Sequence, residues 1–401
     1  MLLWGGQAVS EMGSAVTLLA LPLVAVVTLK AATFEVGLLT AASTLAFAVI
    51  ALPAGAIVDR HAKRRVMIGC DLARIVIIAS VPVAWAAGVL TMAQLYVVAL
   101  AAGVCTVFFD VSYQSYLPSV LAHEHLVDAN GKLGVTQSFA QLAGPGLGGG
   151  LVGAFGAAGS MAADAISYAV SVASLLGIRT TEQPPVRADD DKNSLRSEIA
   201  EGLKFVTSHP ILRKVVACTG TSNMFSSMAA AVEIIFLIRV LHVRPAYTGL
   251  VFALAATGGV LGGVLAGRLA RLIGSARIIW FSILVLGLPQ FLPAAAEPGW
   301  SVALYPIGFA FTFFSAVVYN VAQVSYRQTV TPARLMGRMN AAVRWIVWGT
   351  MPLGGVIGGA LGTAIGIRPT LLIGFIGSWA AGLWVYFSPL RRMRDIPQEA
   401  S

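Results

Sequence analysis

The sequence predicts an all-α polytopic membrane protein with twelve transmembrane helices arranged as two six-helix pseudo-repeat halves. Three observations lead to this prediction. The 401 residues are 57% hydrophobic and only 11% charged, whereas soluble domains carry about 25% charged residues. Apolar runs long enough to cross a hydrocarbon core of about 30 Å recur along the whole chain. Features of the first half also return in the second half at a nearly constant spacing.

The apolar runs predict spans at roughly 3–29, 35–58, 66–89, 92–117, 133–155, 158–178, 211–240, 246–270, 276–296, 300–326, 339–365 and 368–388. Basic residues are concentrated on one side of these spans. Cytoplasmic loops of membrane proteins carry an excess of lysine and arginine, so both termini are predicted to be cytoplasmic. Of the 27 lysines and arginines, only four fall on the opposite side, namely Lys30, Arg239, Arg244 and Arg368.

The longest polar stretch divides the chain. The segment TTEQPPVRADDDKNS is typical of a flexible linker, and apolar side chains at helical spacing in LRSEIAEGLKFVTSHP predict an amphipathic helix on the inner membrane face. The predicted organisation is an N-terminal half (1–178), a cytoplasmic linker (179–210), a C-terminal half (211–390) and a cytoplasmic tail (391–401).

The two halves match at an offset of 210 to 212 residues. FDVSYQSY (109–116) meets YNVAQVSY (319–326), and GPGLGGGL (144–151) meets GGVIGGAL (354–361). Chance identity is common among glycines and alanines, but a constant offset across separate segments is not. Parallel six-helix repeats of this kind are typical of transporters whose site lies between the halves.

The loop GAIVDRHAKRR (55–65) resembles the signature loop of the major facilitator superfamily. Within that superfamily the whole chain is similar to the branch of bacterial exporters that includes macrolide-efflux and enterobactin-export proteins. This similarity rests on DLAR (71–74), FFDVSYQSYLPSVL (108–121), ADAISY (163–168) and RLMGRMNAA (334–342). The resemblance implies transport of a small molecule by alternating access.

The signature loop predicts an inner gate, because charges in a loop between two helices can pair in one state and separate in another. Simple anchoring of the loop by its positive charges is the alternative for Arg64. The predicted gating residues are Gly55, Asp59, Arg60, Arg64, Arg65 and, from the connection between spans ten and eleven, Arg338.

The segment GPGLGG (144–149) resembles the motif that marks antiporters within the superfamily. Its residues here are Gly144, Pro145, Gly148 and Gly149. Small residues four positions apart let another helix approach closely, and Pro145 is expected to bend the span. Ordinary small-residue packing is the alternative interpretation.

Acidic residues inside the spans predict the transport pathway, since an ionised carboxylate at the bilayer centre costs about 2.5–3.5 kcal/mol on insertion scales. The resemblance implies that spans one, four, seven and ten line the central cavity. The repeat places Asn223 opposite Glu11 and Asn320 opposite Asp110. The predicted proton and substrate pathway consists of Glu11, Asp110, Glu233, Asn223, Asn320, Tyr113, Gln114 and Gln323.

Three further charged residues within spans are predicted to be structural. Asp71 and Arg74 are three positions apart on one helix and should pair. Asp164 is expected near the outer end of span six, which does not line the cavity. Span four has Asp110 as its only charge and lacks the arginine found there in many proton-coupled exporters of the superfamily, so coupling is assigned to the carboxylates.

The sequence therefore predicts a secondary active exporter of a small organic compound, drug-like and of macrolide or siderophore type, working as a proton antiporter. Its expected partners are this substrate, protons and the lipid bilayer; it is expected to be a monomer without cofactor or metal. Nucleic acid is excluded because the basic residues form no continuous patch, and an enzyme is excluded because no nucleophile–base pair occurs. An importer or uniporter, and a non-transporting sensor or assembly partner, are the alternatives.

Overall fold

A computed structural model describes residues 2–59, 61–120, 123–178, 195–332 and 335–396, and every regular element in these ranges is a helix. The all-α prediction is confirmed. The longest helices are α1 (Leu2–Leu23), α2 (Thr33–Asp59), α3 (Lys63–Ala86), α4 (Met92–Val120), α5 (His123–Gly177), α7 (Leu212–Ile235), α8 (Pro245–Ile273), α10 (Leu304–Val330) and α11 (Met336–Ala364). The shorter α-helices are α6 (Leu195–Ser208), α9 (Arg277–Phe281), α12 (Ile367–Ala380) and α13 (Gly382–Tyr386).

Eleven segments of the described chain are long and apolar enough to cross a membrane. One of them, Phe139–Gly177, has 39 residues, about twice the length that one crossing needs. It is interrupted at Gly156, whose φ of 73° and ψ of 168° lie in a region that only glycine adopts readily. Helix α5 therefore supplies both span five and span six, and the segments account for the twelve predicted crossings.

The pseudo-repeat is visible in the backbone where the first and seventh spans end. A π-helical turn, Val24–Thr28, follows α1, and another, Phe236–Val240, follows α7. Each is followed by a residue with positive φ, 53° at Lys30 and 54° at His242. Both pairs of features are 212 positions apart (236 against 24, 242 against 30), which is the offset found in the sequence.

Glycine turns recur at the same offset. Gly88 and Gly299 have φ values of 72° and 112°, and Gly156 and Gly366 have values of 73° and 94°. The pairs are 211 and 210 positions apart, so the connections that they form are equivalent in the two halves. The repeat thus extends from side chains to backbone conformation.

The described residues form two compact units. Unit 1 comprises Met1–Asp189 and Leu237–Ala253, and unit 2 comprises Asp190–Phe236 and Leu254–Ser401. In unit 1, α1 packs along α5, α2 packs on α4, and α3 contacts both α4 and α5. In unit 2, α7 packs on α11 and α12, while α10 packs on the ninth span.

The ninth span is less regular than the single helix predicted for 276–296. It consists of α9, a π-helical turn (Ser282–Leu286) and a 3-10 helix (Leu288–Ala295). Pro289 and Pro293 explain the change, because each lacks the backbone donor that a continuous α-helix needs. Helix α5 begins at His123, ahead of the membrane span predicted from 133.

Helix α6 lies where the sequence predicts an amphipathic helix. Its Val206 is buried and packs in a cluster with Val216 of α7 and with Met339, Val343 and Val347 of α11. The apolar side of α6 is therefore covered by protein of unit 2 at this position, in place of the membrane surface that the sequence suggested.

Candidate functional site

A buried arginine lies at the centre of unit 1. The side chain of Arg74, on α3, is 4% exposed and that of Asp71 is fully buried; their Nη1 and Oδ1 atoms are 3.2 Å apart. Arg74 Nη2 donates a hydrogen bond of 3.0 Å to the carbonyl oxygen of Cys105 on α4. Its guanidinium also lies 4.7 Å from the ring centre of Phe109 and 5.0 Å from that of Tyr168, in reach of cation–π attraction. The predicted Asp71–Arg74 pair is confirmed.

A second fully buried carboxyl group, Asp164, approaches this arginine from the second part of α5. The Ser167 hydroxyl lies 3.1 Å from Asp164 Oδ1 and 2.8 Å from the Asp164 carbonyl oxygen. Helix α1 covers the carboxyl group, since a Cβ at Gly13 would lie only 2.6 Å from Asp164 Oδ1. Asp164 follows the Gly156 break by eight residues, about two helical turns, which agrees with the predicted start of span six at 158. We call Asp71, Arg74 and Asp164 the Arg74 cluster.

The polar stripe predicted on α1 divides between two environments. Gln7 Nε2 donates to Glu11 Oε1 at 3.0 Å, and both side chains are half-buried. The Ser14 hydroxyl lies 2.9 Å from that of Tyr168. Ser14 therefore connects α1 to the Arg74 cluster, and Glu11 lies one turn away on the same helix.

Helix α4 brings Asp110 into the electrostatic neighbourhood of Arg74. Tyr113 stacks on Phe109 with ring centres 6.2 Å apart, and its buried hydroxyl has no hydrogen-bond partner among the described residues. Gln114 is exposed. Span four has no arginine of its own, but Arg74 of α3 lies against it. Spacing along one helix could not predict this contact between two helices.

In unit 2, Glu233 near the end of α7 is held by an aromatic residue. Tyr305 donates to Glu233 Oε1 at 2.9 Å, and its ring stacks on Phe236 and Phe309 with centroid distances of 6.0 Å and 4.8 Å. The guanidinium of Arg368 lies 5.5 Å from the Phe236 ring and donates to two carbonyl oxygens near the end of the ninth span. Glu233 is therefore hydrogen-bonded to a tyrosine whose ring is itself fixed by stacking on two phenylalanines.

The predicted amides of unit 2 bond within their own unit. Asn223 Nδ2 donates to the carbonyl oxygen of Val347 on α11 at 3.4 Å. Gln323 Nε2 donates to Asn320 Oδ1 at 2.9 Å, while Gln323 Oε1 is buried and has no partner in the described part of the chain. Acidic residues within the described spans are unevenly divided between the units. Unit 2 has one, Glu233, and unit 1 has five, which are Glu11, Glu35, Asp71, Asp110 and Asp164.

Arg64 has a contact that the gating prediction did not include. Its Nε donates to the carbonyl oxygen of Leu175 at 2.8 Å, and its Nη2 donates to that of Leu176 at 3.0 Å. These carbonyls belong to the C-terminal turn of α5, where a positive charge is favoured by the helix dipole. Arg64 therefore ties α3 to the end of span six.

The other gating residues are only partly described. Arg338, at the beginning of α11, forms an ion pair with Glu201 of α6, a partner that the sequence did not suggest. Gly55 lies within α2, and Arg65 is exposed. The Asp59 side chain and Arg60 lie outside the described residues, so their gating role stays a prediction.

The antiporter-like motif packs two faces of α5 against two different helices of unit 1. Gly144 and Gly148 face α1, where a Cβ at Gly148 would lie 3.5 Å from Val16 Cα. Gly149 faces α8: a Cβ there would lie 2.6 Å from the Ala246 carbonyl oxygen and 2.9 Å from Gly249 Cα. The expectation of close helix approach is confirmed on both faces.

Pro145 lies between these glycines, inside α5. The backbone remains helical there, because the one non-helical residue in the described part of α5 is Gly156. The Pro145 carbonyl oxygen lies directly against Gly249 of α8, so closely that a Cβ on Gly249 would collide with it. The motif therefore serves here as a packing surface without a break in the helix.

Repeated membrane-crossing helices around buried ionisable residues define a multi-pass membrane transporter of the major facilitator type. The family described as "Transmembrane secretion effector" matches residues 1–401, and the chain belongs to this family of the major facilitator superfamily. It is a transporter and not an enzyme.

Two named relatives cover nearly the same length. The chain is 24% identical to the multidrug efflux pump Tap of Mycolicibacterium fortuitum over 396 residues, covering 96% of this chain and 94% of that protein. It is 23% identical to macrolide efflux protein A of Streptococcus pyogenes, covering 92% and 91%.

Solved structures share the fold. A point mutant of the nucleoside transporter NupG superposes with a TM-score of 0.76 at 12% identity, covering 96% of this chain and 98% of that one. A bacterial homologue of the iron transporter ferroportin in its inward-facing state gives 0.75 at 14% identity, covering 96% and 97%. The predicted superfamily and fold class are confirmed.

Proposed function

We propose that this protein is a secondary active exporter of a small, drug-like organic compound and that it exchanges the compound for protons by alternating access. Export is supported by the family and by relatives named multidrug and macrolide efflux pumps that match along nearly the whole chain. Proton coupling is supported by one observation: in the described part of unit 1, two fully buried carboxyl groups, Asp71 and Asp164, lie beside the buried Arg74.

An excess of embedded carboxyl groups suits proton exchange. Adding a proton to a buried carboxylate removes a costly charge and changes which of two conformations is favoured. An inward proton at a membrane potential of 100 mV supplies roughly 2.3 kcal/mol before any pH gradient is added. The driving force is therefore available without a nucleotide.

The chemistry of the predicted pathway favours cationic or neutral amphipathic substrates. Glu11 and Asp110 are half-buried on α1 and α4, beside the aromatic Tyr113 and the exposed amide of Gln114. In unit 2 the pathway residues are mainly amides, Asn223, Asn320 and Gln323. Such a surface offers negative charge and hydrogen bonds, and the aromatic ring suits a flat or cyclic substrate.

The orientation follows from the loop charges. Both termini face the cytoplasm of a bacterial cell in this proposal, the gate built on Asp59, Arg60 and Arg338 closes the inner side, and one chain is the transporting unit. The halves are those given by the sequence, 1–178 and 211–390.

Everted membrane vesicles test the proposal. Acidifying their lumen should drive uptake of a fluorescent lipophilic cation, and a protonophore should abolish this uptake. Asp110→Asn should reduce uptake by tenfold or more, while Glu297→Gln, in an exposed connection, should behave like the wild type. Uptake of anions alone would contradict the substrate class, and movement in the opposite direction would make the protein an importer.

A further inference from the structure

The Arg74 cluster contains more acid than base. Asp71 and Asp164 have no solvent exposure, and both lie within electrostatic reach of the one arginine. Among the described residues of the cluster, Arg74 supplies the one positive charge. A buried carboxylate without its own counter-charge is strongly disfavoured and takes up a proton instead. At least one of these groups is therefore neutral when the cluster is sealed from water.

The contacts distinguish the two buried candidates. Asp71 Oδ1 accepts directly from Arg74 Nη1 at 3.2 Å, which stabilises the ionised form. Both aspartates have a buried Oδ2 without a hydrogen-bond partner among the described atoms, but Asp164 Oδ1 lies beside the Ser167 hydroxyl rather than beside a guanidinium. A neutral carboxyl group with its proton on Oδ2 fits this setting better than a carboxylate does.

An acceptor for that proton lies on the neighbouring helix. The Thr17 hydroxyl of α1 lies beside the Asp164 carboxyl group, and its Oγ1 is likewise buried without a hydrogen-bond partner among the described atoms. Asp164 and Thr17 thus face each other on two helices, close enough to interact through a hydrogen bond. The Thr17 hydroxyl can accept from a protonated Asp164 or donate to the ionised form, so this contact serves both states.

Helix α1 lies against Asp164 and also carries Glu11, a residue of the predicted pathway. The backbone of Gly13 covers Asp164 Oδ1, and Ser14 holds α1 to Tyr168 through its hydroxyl. Glu11, on the same helix and half-buried, lies within electrostatic reach of Tyr113 on α4. A displacement of α1 would uncover Asp164.

The titratable and charged groups around Asp164 come from every helix packed on it. Asp71 and Arg74 on α3 and Tyr168 on α5 interact with Asp164 itself. Farther out, Arg74 interacts with Cys70 on α3 and Asp110 on α4, Cys70 interacts with Cys105 on α4, and Glu11 on α1 interacts with Tyr113 on α4. Arg74 alone among them is cationic, and it would stabilise the Asp164 carboxylate once water reached the carboxyl group.

We propose that Asp164 is the proton-binding site of this transporter, neutral while α1 covers it and ionised, with Arg74 as counter-charge, when α1 moves away. The step breaks only the Asp164 O–H bond, the proton passes to water, and no electrons are transferred. The inference rests on the proposed antiport and assigns its proton to a residue that lies outside the substrate pathway predicted from the sequence.

Proton release by purified protein in weakly buffered detergent solution tests this assignment. Adding a lipophilic cation substrate should release protons from the wild type and from Glu297→Gln. Asp164→Asn should release at least tenfold less, while it still exchanges labelled substrate across proteoliposomes in the absence of a pH gradient. Release by Asp164→Asn equal to that of the wild type would overturn the inference.

Two further readouts separate the possible failures. Infrared spectra of the resting wild type should contain a band from a neutral carboxyl group that disappears when substrate is added; a wild type without this band overturns the inference even if Asp164→Asn does not fold. A wild type that transports substrate but neither releases protons nor responds to a pH gradient would instead contradict the antiport proposal itself.

Discussion

Arg74 of α3 donates a hydrogen bond of 3.0 Å to the carbonyl oxygen of Cys105 in α4, and by this contact the third span provides the arginine that the fourth lacks. The same guanidinium pairs with Asp71 and lies against the rings of Phe109 and Tyr168. One side chain therefore connects three helices of unit 1 in a low-dielectric core, and its removal has effects that a surface charge would not have.

Replacing Arg74 by methionine should destabilise unit 1 strongly. The change leaves the fully buried Asp71 without its partner, and breaking a buried ion pair in this way costs about 3–5 kcal/mol. The double variant Asp71→Asn, Arg74→Met should recover part of this loss, because no unpaired charge remains. Thermal unfolding in detergent measures both, and equal destabilisation of the single and double variants would contradict the pairing.

The contact between α5 and α8 predicts a strict requirement for glycine. Gly249→Ala places a methyl group against the Pro145 carbonyl oxygen, and such overpacking costs about 1–3 kcal/mol. The rate of transport by Gly249→Ala should therefore be lower than that of the wild type. Gly150→Ala is the matched control, since a Cβ there has no neighbour within 4 Å. Normal transport by Gly249→Ala would show that the two backbones need not lie this close.

The Glu233–Tyr305 bond predicts a large effect of a single hydroxyl group. Tyr305→Phe removes the donor 2.9 Å from Glu233 Oε1, and leaving a buried acceptor unsatisfied costs about 1–3 kcal/mol. Glu233→Gln keeps an acceptor and should be milder. Tyr247→Phe, at a side chain that is 53% exposed, serves as control, and equal unfolding temperatures for the two phenylalanine variants would refute the prediction.

His209 should make the start of α7 sensitive to pH. Partial burial lowers the pKa of His209, and its Nδ1 accepts from the backbone N–H groups of Ile211 at 3.3 Å and Leu212 at 3.1 Å. The neutral form of His209 therefore stabilises the folded protein. Because the folded-state pKa lies below the ordinary value of about 6.5, this contribution is fully present above pH 6.5 and is lost as the pH falls through the folded-state pKa.

The unfolding temperature of the wild type should therefore decrease between pH 7.5 and 5 by more than that of His209→Asn. Asparagine offers an acceptor that does not titrate in this range, so it is the matched replacement. The same pH dependence in both proteins would exclude His209 as its source.

Much of the fold could be predicted because it depends on regularities of the sequence. Apolar runs predicted the crossings, and the structure extends the constant offset to backbone details that the sequence did not predict, such as the positive φ values at Lys30 and His242. The ninth span was harder, since Pro289 and Pro293 change the type of helix while leaving the hydropathy unchanged. Length and polarity alone do not report such changes.

The site was less accessible to sequence reasoning. The pairing of Asp71 with Arg74 follows from helical spacing, but the approach of Asp164 and Asp110 to the same arginine depends on how three helices pack. The break at Gly156 matches the predicted start of span six, but the burial of Asp164 against α1 could not be read from its position in the span. The nearby serine at Ser167 was a signal, because polar residues three apart in an apolar helix often bond to one another.

The most direct test of proton-coupled export is transport by purified protein in proteoliposomes that contain a pH-sensitive dye. When no pH difference is imposed, an outward gradient of a lipophilic cation substrate should carry protons inward. When a pH gradient is imposed, it should drive accumulation of the substrate. The account predicts both fluxes in the wild type, each abolished in Asp164→Asn. Substrate movement with no accompanying proton flux in the wild type would contradict it.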